Sequence, residues 1–215
     1  MHPFHERLAR VGLAALSDYG FALAGGYAVQ AHGLVSRPSE DVDLFTTMDA
    51  EATFPAAVAA AVTAYRQNGL TVEVLVDSPG FARLSVTDPE QHLSAKVELG
   101  IDWRQHSPTT LAIGPVLDQD DAVANKVNAL YSRAQARDYI DVHAALASGR
   151  YAGPDLLRLA TEHDPGFDPT VFADALQAIR RLPDAEFTAY GLTHDQIKTL
   201  VESLTNWAET ITTTE

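Results

Sequence analysis

Gly25-Gly26-Tyr27-Ala28-Val29-Gln30-Ala31-His32-Gly33-Leu34-Val35-Ser36-Arg37-Pro38-Ser39-Glu40-Asp41-Val42-Asp43-Leu44-Phe45 is the stretch on which the fold turns. The apolar run Phe21-Ala22-Leu23-Ala24 leads into the paired glycines, and a short helix-compatible segment follows. A polar loop containing Arg37 then reaches Asp-Val-Asp and a second apolar run. Residues two apart on a strand face the same way, so Asp41 and Asp43 present both carboxylates to one side of a sheet. Two like charges that close repel unless a cation lies between them, and a hard divalent ion with oxygen ligands, Mg²⁺ or Mn²⁺, suits the pair. Glycines after a strand let a phosphate approach the backbone, and a helix start there favours an anion. The segment predicts a site for a nucleoside triphosphate carried on metal.

The neighbouring sequence supplies the frame. Phe4, Leu8, Val11, Ala15 and Tyr19 recur at helical spacing, which predicts a helix over 4–18 ended by Gly20. A buried strand over 21–24, a brief helix over 27–32 and a strand over 41–46 follow. Residues 50–67 predict a helix with Pro55 in its first turn. Strands are expected over 71–76 and 81–86, joined by the turn-forming Asp77-Ser78-Pro79-Gly80, and over 95–102. In the last strand Val97, Leu99 and Ile101 share one face, while Lys96, Glu98 and Asp102 share the other. Either Glu98 or Asp102 is placed to supply a third carboxylate.

After Pro108 the pattern becomes helical: 119–132, 137–148, 154–162, 169–181 and 194–212. Asp168 before Pro169 is an N-cap signal, and Thr193 with Gln196 makes a capping-box pattern. The Thr-rich tail, Thr210, Thr212, Thr213 and Thr214, is expected to fray. The fold class is therefore α/β (α+β): residues 1–115 form a mixed-sheet α/β domain and residues 116–215 a helical bundle that completes the active-site cleft.

Composition narrows the chemistry. With no cysteine, disulfides, thiolate metal sites and thiol nucleophiles are excluded. The N-terminus lacks an apolar signal core, and no stretch approaches the ~20 apolar residues of a membrane span, so a soluble, cytoplasmic protein without membrane association is expected. The net charge of −14 opposes a general nucleic-acid surface, and any such substrate must meet a local basic patch. The eight histidines show no His-Glu-x-x-His pattern, and His32 reads as structural.

Gly25-Gly26, fourteen residues, then Asp41-Val42-Asp43 resembles the opening motif of the polymerase-beta-like nucleotidyltransferase superfamily. Lys126-Val127-Asn128-Ala129-Leu130-Tyr131-Ser132-Arg133 and Arg137-Asp138-Tyr139-Ile140-Asp141 resemble the Lys-x-x-Ala-Leu-x-x-Arg and Arg-Asp-x-x-Asp signatures of the AbiEii/AbiGii-type, MenT-like nucleotidyltransferase toxins. The likeness covers residues 20 to 145. Gly26 stands where the wider superfamily commonly has a serine, so a backbone N–H or Ser39 must take over its phosphate contact. Ser39 itself suits a local cap ahead of Asp41, or a phosphate contact or self-modification site beside a bound triphosphate.

The resemblance implies a toxin that transfers nucleotides from an NTP to the 3′ acceptor end of tRNA, blocks translation, and is restrained by a cognate antitoxin. In that role Asp41 and Asp43 hold Mg²⁺ or Mn²⁺, with Glu98 or Asp102 as a third ligand. Gly25, Gly26, Arg37, Ser39 and Arg133 bind nucleotide, and Lys126 with Arg37 neutralises the β/γ-phosphates. Asp138 sits near the attacking hydroxyl or fixes the basic cluster, and Asp141 shares its helix face. Two alternatives stand beside this expectation. One is a nucleotidyltransferase acting on a protein hydroxyl or on a small molecule such as an aminoglycoside, whose cationic character suits the net charge. The other is a catalytically degenerate scaffold that binds a nucleotide or a partner.

Overall fold

The computed structural model describes Met1–Thr213, and the chain divides into two compact units. The first contains Met1–His32 and Pro38–Gln119, the second Gly33–Arg37 and Asp120–Glu215. The short segment Gly33–Arg37 thus belongs with the helical half, an assignment that nothing in its local sequence pattern announces.

The first unit is a mixed sheet with helices. In chain order it comprises α1 (Pro3–Ala15), a 3₁₀ turn (Ser17–Tyr19), β1 (Ala22–Leu23), α2 (Gly25–Ala31), β2 (Asp41–Thr46), a second 3₁₀ turn (Met48–Thr53) and α3 (Phe54–Gln67). The strands β3 (Thr71–Ser78), β4 (Phe81–Asp88), β5 (Leu93–Ile101), β6 (Thr109–Leu111) and β7 (Gly114–Val116) complete it. The described strands form one sheet in the order β3-β4-β5-β2-β1-β7-β6. Its centre is mixed: β2 runs parallel to β5 and antiparallel to β1, and β1 runs parallel to β7.

Alternation fixes which face does what. Along β2, Val42 and Leu44 are fully buried while Asp41 and Asp43 are half-buried on the other side. Along β4, Ala82, Leu84 and Val86 are buried, as are Val97 and Leu99 on β5. A two-residue period with one apolar set requires this division, because a slip of one position would expose every core side chain. The buried face of α1 is Phe4, Leu8, Ala9, Gly12 and Leu13, which differs from the sequence expectation at Val11, Ala15 and Tyr19. Gly12 turns inward because there is no room beneath it. A Cβ there would lie 2.5 Å from Tyr65 Oη and 2.6 Å from Leu44 Cδ1. Tyr65, wholly buried on α3, donates to the Leu8 carbonyl at 3.0 Å, and burial pushes its phenol pKa up.

The second unit is helical: α4 (Gln119–Arg133), α5 (Ala136–Ala147), α6 (Gly153–His163), α7 (Pro169–Gln177) running on as a 3₁₀ turn (Ala178–Arg181), α8 (Asp184–Thr188) and α9 (His194–Thr213). Its core joins Val127, Leu130, Tyr139, Val142, Leu156 and Leu204, with an aromatic series Tyr131–Phe167–Phe172–Trp207 at centroid spacings of 4.9, 5.2 and 5.4 Å. The expected caps form. Asp168 accepts from Thr170 N and Val171 N, and Thr193 N donates to Gln196 Oε1 while Gln196 N donates to the Thr193 hydroxyl. In the Thr-rich tail, Thr210, Thr212 and Thr213 lie in α9, their hydroxyls donating to carbonyls one turn back, and Thr214 lies outside the described residues. Among the described residues no helix is long and apolar enough to cross a membrane.

Gly12→Ala must either displace Tyr65 and Leu44 or bend α1. It should lower stability by about 1–3 kcal/mol, the usual cost of forcing a methyl into a close-packed contact. A lower denaturant midpoint at unchanged slope would register it.

Candidate active site

Of the residues singled out in the sequence, one group lies within the first unit and another within the second. In the first, β1 sets the geometry. Ala22 and Leu23 pair with Phe45 and Leu44, and Ala24 N donates to the Asp43 carbonyl at 2.8 Å. The next residue, Gly25, has φ +59° and lies against the Asp43 side chain, where a Cβ would sit 1.7 Å from Oδ2. Both the left-handed backbone and the missing Cβ are needed there. Gly25 therefore acts by making room for one of the two carboxylates, and Gly26 is buried in the first turn of α2.

The parallel pairing of β2 with β5 discriminates the two candidates for a third carboxylate. Asp41 lies opposite Lys96, and Asp43 lies opposite Glu98, on the same sheet face. Glu98 also pairs across to Arg83 on β4, whose Nε donates to Oε1 at 2.8 Å. Asp102 lies one position beyond β5, where its N–H donates to the Thr46 carbonyl and its Oδ1 accepts from Trp103 N. Glu98 is thus the residue that the register sets beside Asp43, and Arg83 is a charged member of this face that motif reading missed.

The loop before Asp41 is anchored from α1 and α2. The Tyr27 hydroxyl donates to the Ser39 carbonyl at 3.2 Å and contacts His5 Nδ1 at 2.6 Å, which leaves the proton of that second bond on the imidazole. The Ser39 hydroxyl donates to the Asp41 carbonyl at 3.5 Å, a long bond. His32 Nε2 donates to the Leu117 carbonyl at 2.8 Å, a structural role. Burial first, then the charges of His2 and the N-terminus, lowers the His5 pKa, and burial does the same for His143 in the second unit.

The second group centres on Asp141. Arg37 donates to it through Nε and Nη2, both at 2.6 Å, and Lys126 Nζ lies 3.1 Å from Oδ2. All three side chains are buried, at 0% exposure for Asp141, 5% for Arg37 and 9% for Lys126. Burial alone would lower the Arg37 pKa, but the hydrogen bonds and charge of Asp141 outweigh it and raise the value. One turn earlier on α5, Asp138 is fully buried. Its carboxylate accepts from Arg133 Nε and Nη2 at 2.9 and 2.8 Å and from Gln135 N, closing the first turn of the helix. Asp138 therefore fixes Arg133, while Asp141, expected only to share its helix face, holds the two buried cations.

Each unit thus brings charged groups of one sign together, carboxylates on the face of β2 and β5 and two cations on Asp141, and the family to which the chain belongs is one of nucleotidyltransferases. Residues 8–203 match the family described as nucleotidyl transferase AbiEii toxin, type IV toxin–antitoxin system, and the chain belongs to that family. No curated protein matches the sequence. Among solved structures, JHP933 from Helicobacter pylori is similar at a TM-score of 0.62 and 19% identity, covering 97% of this chain and 90% of its own. MenT4, the nucleotidyltransferase toxin Rv2826c from Mycobacterium tuberculosis H37Rv, is similar at a TM-score of 0.61 and 19% identity, covering 96% and 83%. The antibiotic-resistance factor ANT(2'')-Ia is similar at a TM-score of 0.50 and 14% identity, covering 75% and 92%. At these identities the likeness establishes the fold.

Asp141→Ala leaves two buried cations without their anion. It should destabilise the protein by about 3–5 kcal/mol, the range for breaking a buried ion pair from one side, as measured by urea unfolding. Gly25→Ala should cost less stability but displace the Asp43 carboxylate, so its activity should fall by more than its unfolding midpoint accounts for. Stability should also fall with acidification. His5 and His143 have folded pKa values below the ordinary 6.5 of a histidine, so the unfolded chain binds protons first as pH drops through and below 6.5. Each contributes at most about 1.4 kcal/mol per pH unit in that window, and His5→Asn should flatten the slope.

Proposed function

We propose that the protein transfers a nucleoside monophosphate from an NTP to the 3′ acceptor end of tRNA, with Mg²⁺ or Mn²⁺ as its metal, blocking translation until a cognate antitoxin restrains it. The observation that carries this reading is the placement of Asp41 and Asp43 on one face of β2, with Gly25 making room for the Asp43 carboxylate. That donor set fits a hard divalent cation: two half-buried carboxylates point the same way, and Glu98 lies in register beside one of them. Such an ion, when bound, supplies polarisation and charge neutralisation of the triphosphate.

The acceptor hydroxyl oxygen forms a bond to the α-phosphorus, the bond from that phosphorus to the bridging oxygen breaks, and pyrophosphate leaves. The hydroxyl proton passes to water or a neighbouring carboxylate. Arg37 and Lys126 neutralise phosphate oxygens while Asp141 holds them in place, and Arg133 does the same from its seat on Asp138. The backbone at Gly25 and Gly26, with Ser39, contacts phosphate, since Gly26 has no hydroxyl of its own.

A second reading keeps the reaction and changes the acceptor to a small cationic molecule. The net charge of −14 and the fold likeness to ANT(2'')-Ia favour it. Incubation of the protein with each labelled NTP and, separately, total tRNA, total protein and a pool of small cations distinguishes the readings by which pool becomes labelled. The expected result is label on tRNA, lost by about 10²-fold or more in Asp41→Ala together with toxicity in cells. Retention of both by that variant would overturn either enzymatic reading.

A further inference from the structure

The second unit contains a cavity of about 480 Å³ whose lining, Arg37 apart, has no part in the reaction described above. Its floor is apolar, formed by Leu34, Ile140, Ala144, Leu192 and Leu200. Arg37 and Tyr190 form one wall, with the guanidinium carbon 5.4 Å from the ring centroid. His143, Gln196 and Thr199 carry the polar positions, and Asp195 adds a carboxylate at the lining.

We infer that this cavity seats a nucleobase, so that it sets which nucleotide the enzyme accepts. The inference rests on the nucleotidyl-transfer reading and adds a base-selecting site to it. The volume falls in the range of small-molecule sites, which runs from about 300 to 1,000 Å³. Charge excludes a phosphate as the occupant. The cation in the wall, Arg37, is already matched by Asp141, and Asp195 contributes a negative charge, so the cavity offers no surplus positive charge. A neutral planar group is what remains, and an aromatic ring such as that of Tyr190 in the lining is a surface on which bases stack.

The polar positions suit the edge of a base. Gln196 gives its Oε1 to Thr193, so its amide nitrogen is the end with donors to offer. The Thr199 hydroxyl donates to the Asp195 carbonyl, which leaves its oxygen as an acceptor. Burial keeps the His143 imidazole neutral near pH 7, with one nitrogen as donor and the other as acceptor. A wall that presents donors and acceptors over an apolar floor rejects bases with the wrong edge more strongly than a purely apolar slot can. Arg37 joins this wall to the Asp141–Lys126 cluster, so the base and the phosphate-neutralising cations share one side chain.

The test is equilibrium binding of the four free nucleosides, which carry no phosphate, to the full chain and to two variants. Ala144→Phe fills the floor, and the double variant Gln196→Ala with Thr199→Val removes polar groups while leaving the floor intact. The wild type should bind at least one nucleoside. Ala144→Phe should weaken that binding about tenfold or more, equivalent to about 1.4 kcal/mol, and the double variant should change the order of preference. Transfer assays then locate the base. If it belongs to the donor, the KM ratio among NTPs shifts in the variants. If it belongs to the acceptor, NTP KM values hold and preference among RNA 3′ ends shifts.

Absence of nucleoside binding by the wild type overturns the inference. So does binding unchanged in an Ala144→Phe protein whose unfolding midpoint matches the wild type. If Ala144→Phe does not fold, the double variant decides, and an unchanged preference order there overturns the inference. Nucleoside binding without any transfer activity would instead leave the cavity assigned and remove the reaction proposed above.

Discussion

The helical unit is organised by one buried carboxylate with two cations on it. Asp141 is completely removed from solvent, and burying a lone carboxylate would cost several kcal/mol. Arg37 meets it with two parallel 2.6 Å bonds and Lys126 with a third contact. The guanidinium fork suits this because both of its donors lie in the carboxylate plane, which an ammonium cannot match. Arg37 comes from the short segment Gly33–Arg37 and Asp141 from α5, so the ion pair accounts for why that segment is part of the helical unit. The charge of Asp138, one turn earlier on the same helix, also acts on Arg37.

The sheet unit solves the reverse problem, keeping negative charges together. Asp41, Asp43 and Glu98 share one face because β2 and β5 are parallel and in register. Strand geometry alone brings them together, and the repulsion is relieved at Glu98 by Arg83 and at the Asp41 row by the adjacent Lys96. Gly25 is a steric requirement of the same arrangement. The β1–β2 pairing carries the chain past Asp43 so closely that only a residue without a Cβ fits. Sequence spacing between the glycine pair and Asp-x-Asp is therefore a record of this packing.

Strong alternation and helical periodicity were legible. The strand at 41–46 forms over those residues, and the helices from Gln119 onward begin within a few residues of their caps and breakers. Short elements were not: β6 and β7 are three residues each and α8 is five, too few for a period to declare itself. The third carboxylate was ambiguous because Glu98 and Asp102 have the same strand parity, and only the register with β2 separates them. The roles of Asp138 and Asp141 were blurred for a related reason. They lie three apart on one helix face, and what distinguishes them is the cation each holds: Arg133, five residues before Asp138, or Arg37, 104 residues before Asp141. A contact at that separation leaves no trace in local pattern.

The missing hydroxyl at Gly26 bears on how the work is divided between the motifs. The N-cap of α2, Ala24, supplies no side-chain hydrogen bond, and the Ser39 hydroxyl makes only a long bond to the Asp41 carbonyl. In the reaction proposed above, phosphate contact at the glycine pair would therefore rest on main-chain N–H groups, with Ser39 beside them. A helix terminus stabilises an exposed anion by about 0.3–1 kcal/mol, and α2 is only seven residues long. Charge-assisted bonds from Arg or Lys are roughly twice as strong as neutral ones and strengthen further where water is excluded. In the reaction proposed above, a chain with glycine at this position would rely for phosphate charge on Arg37 and Lys126 more than on the opening motif. Asp141 holds both of those cations, so its loss would disturb the two together.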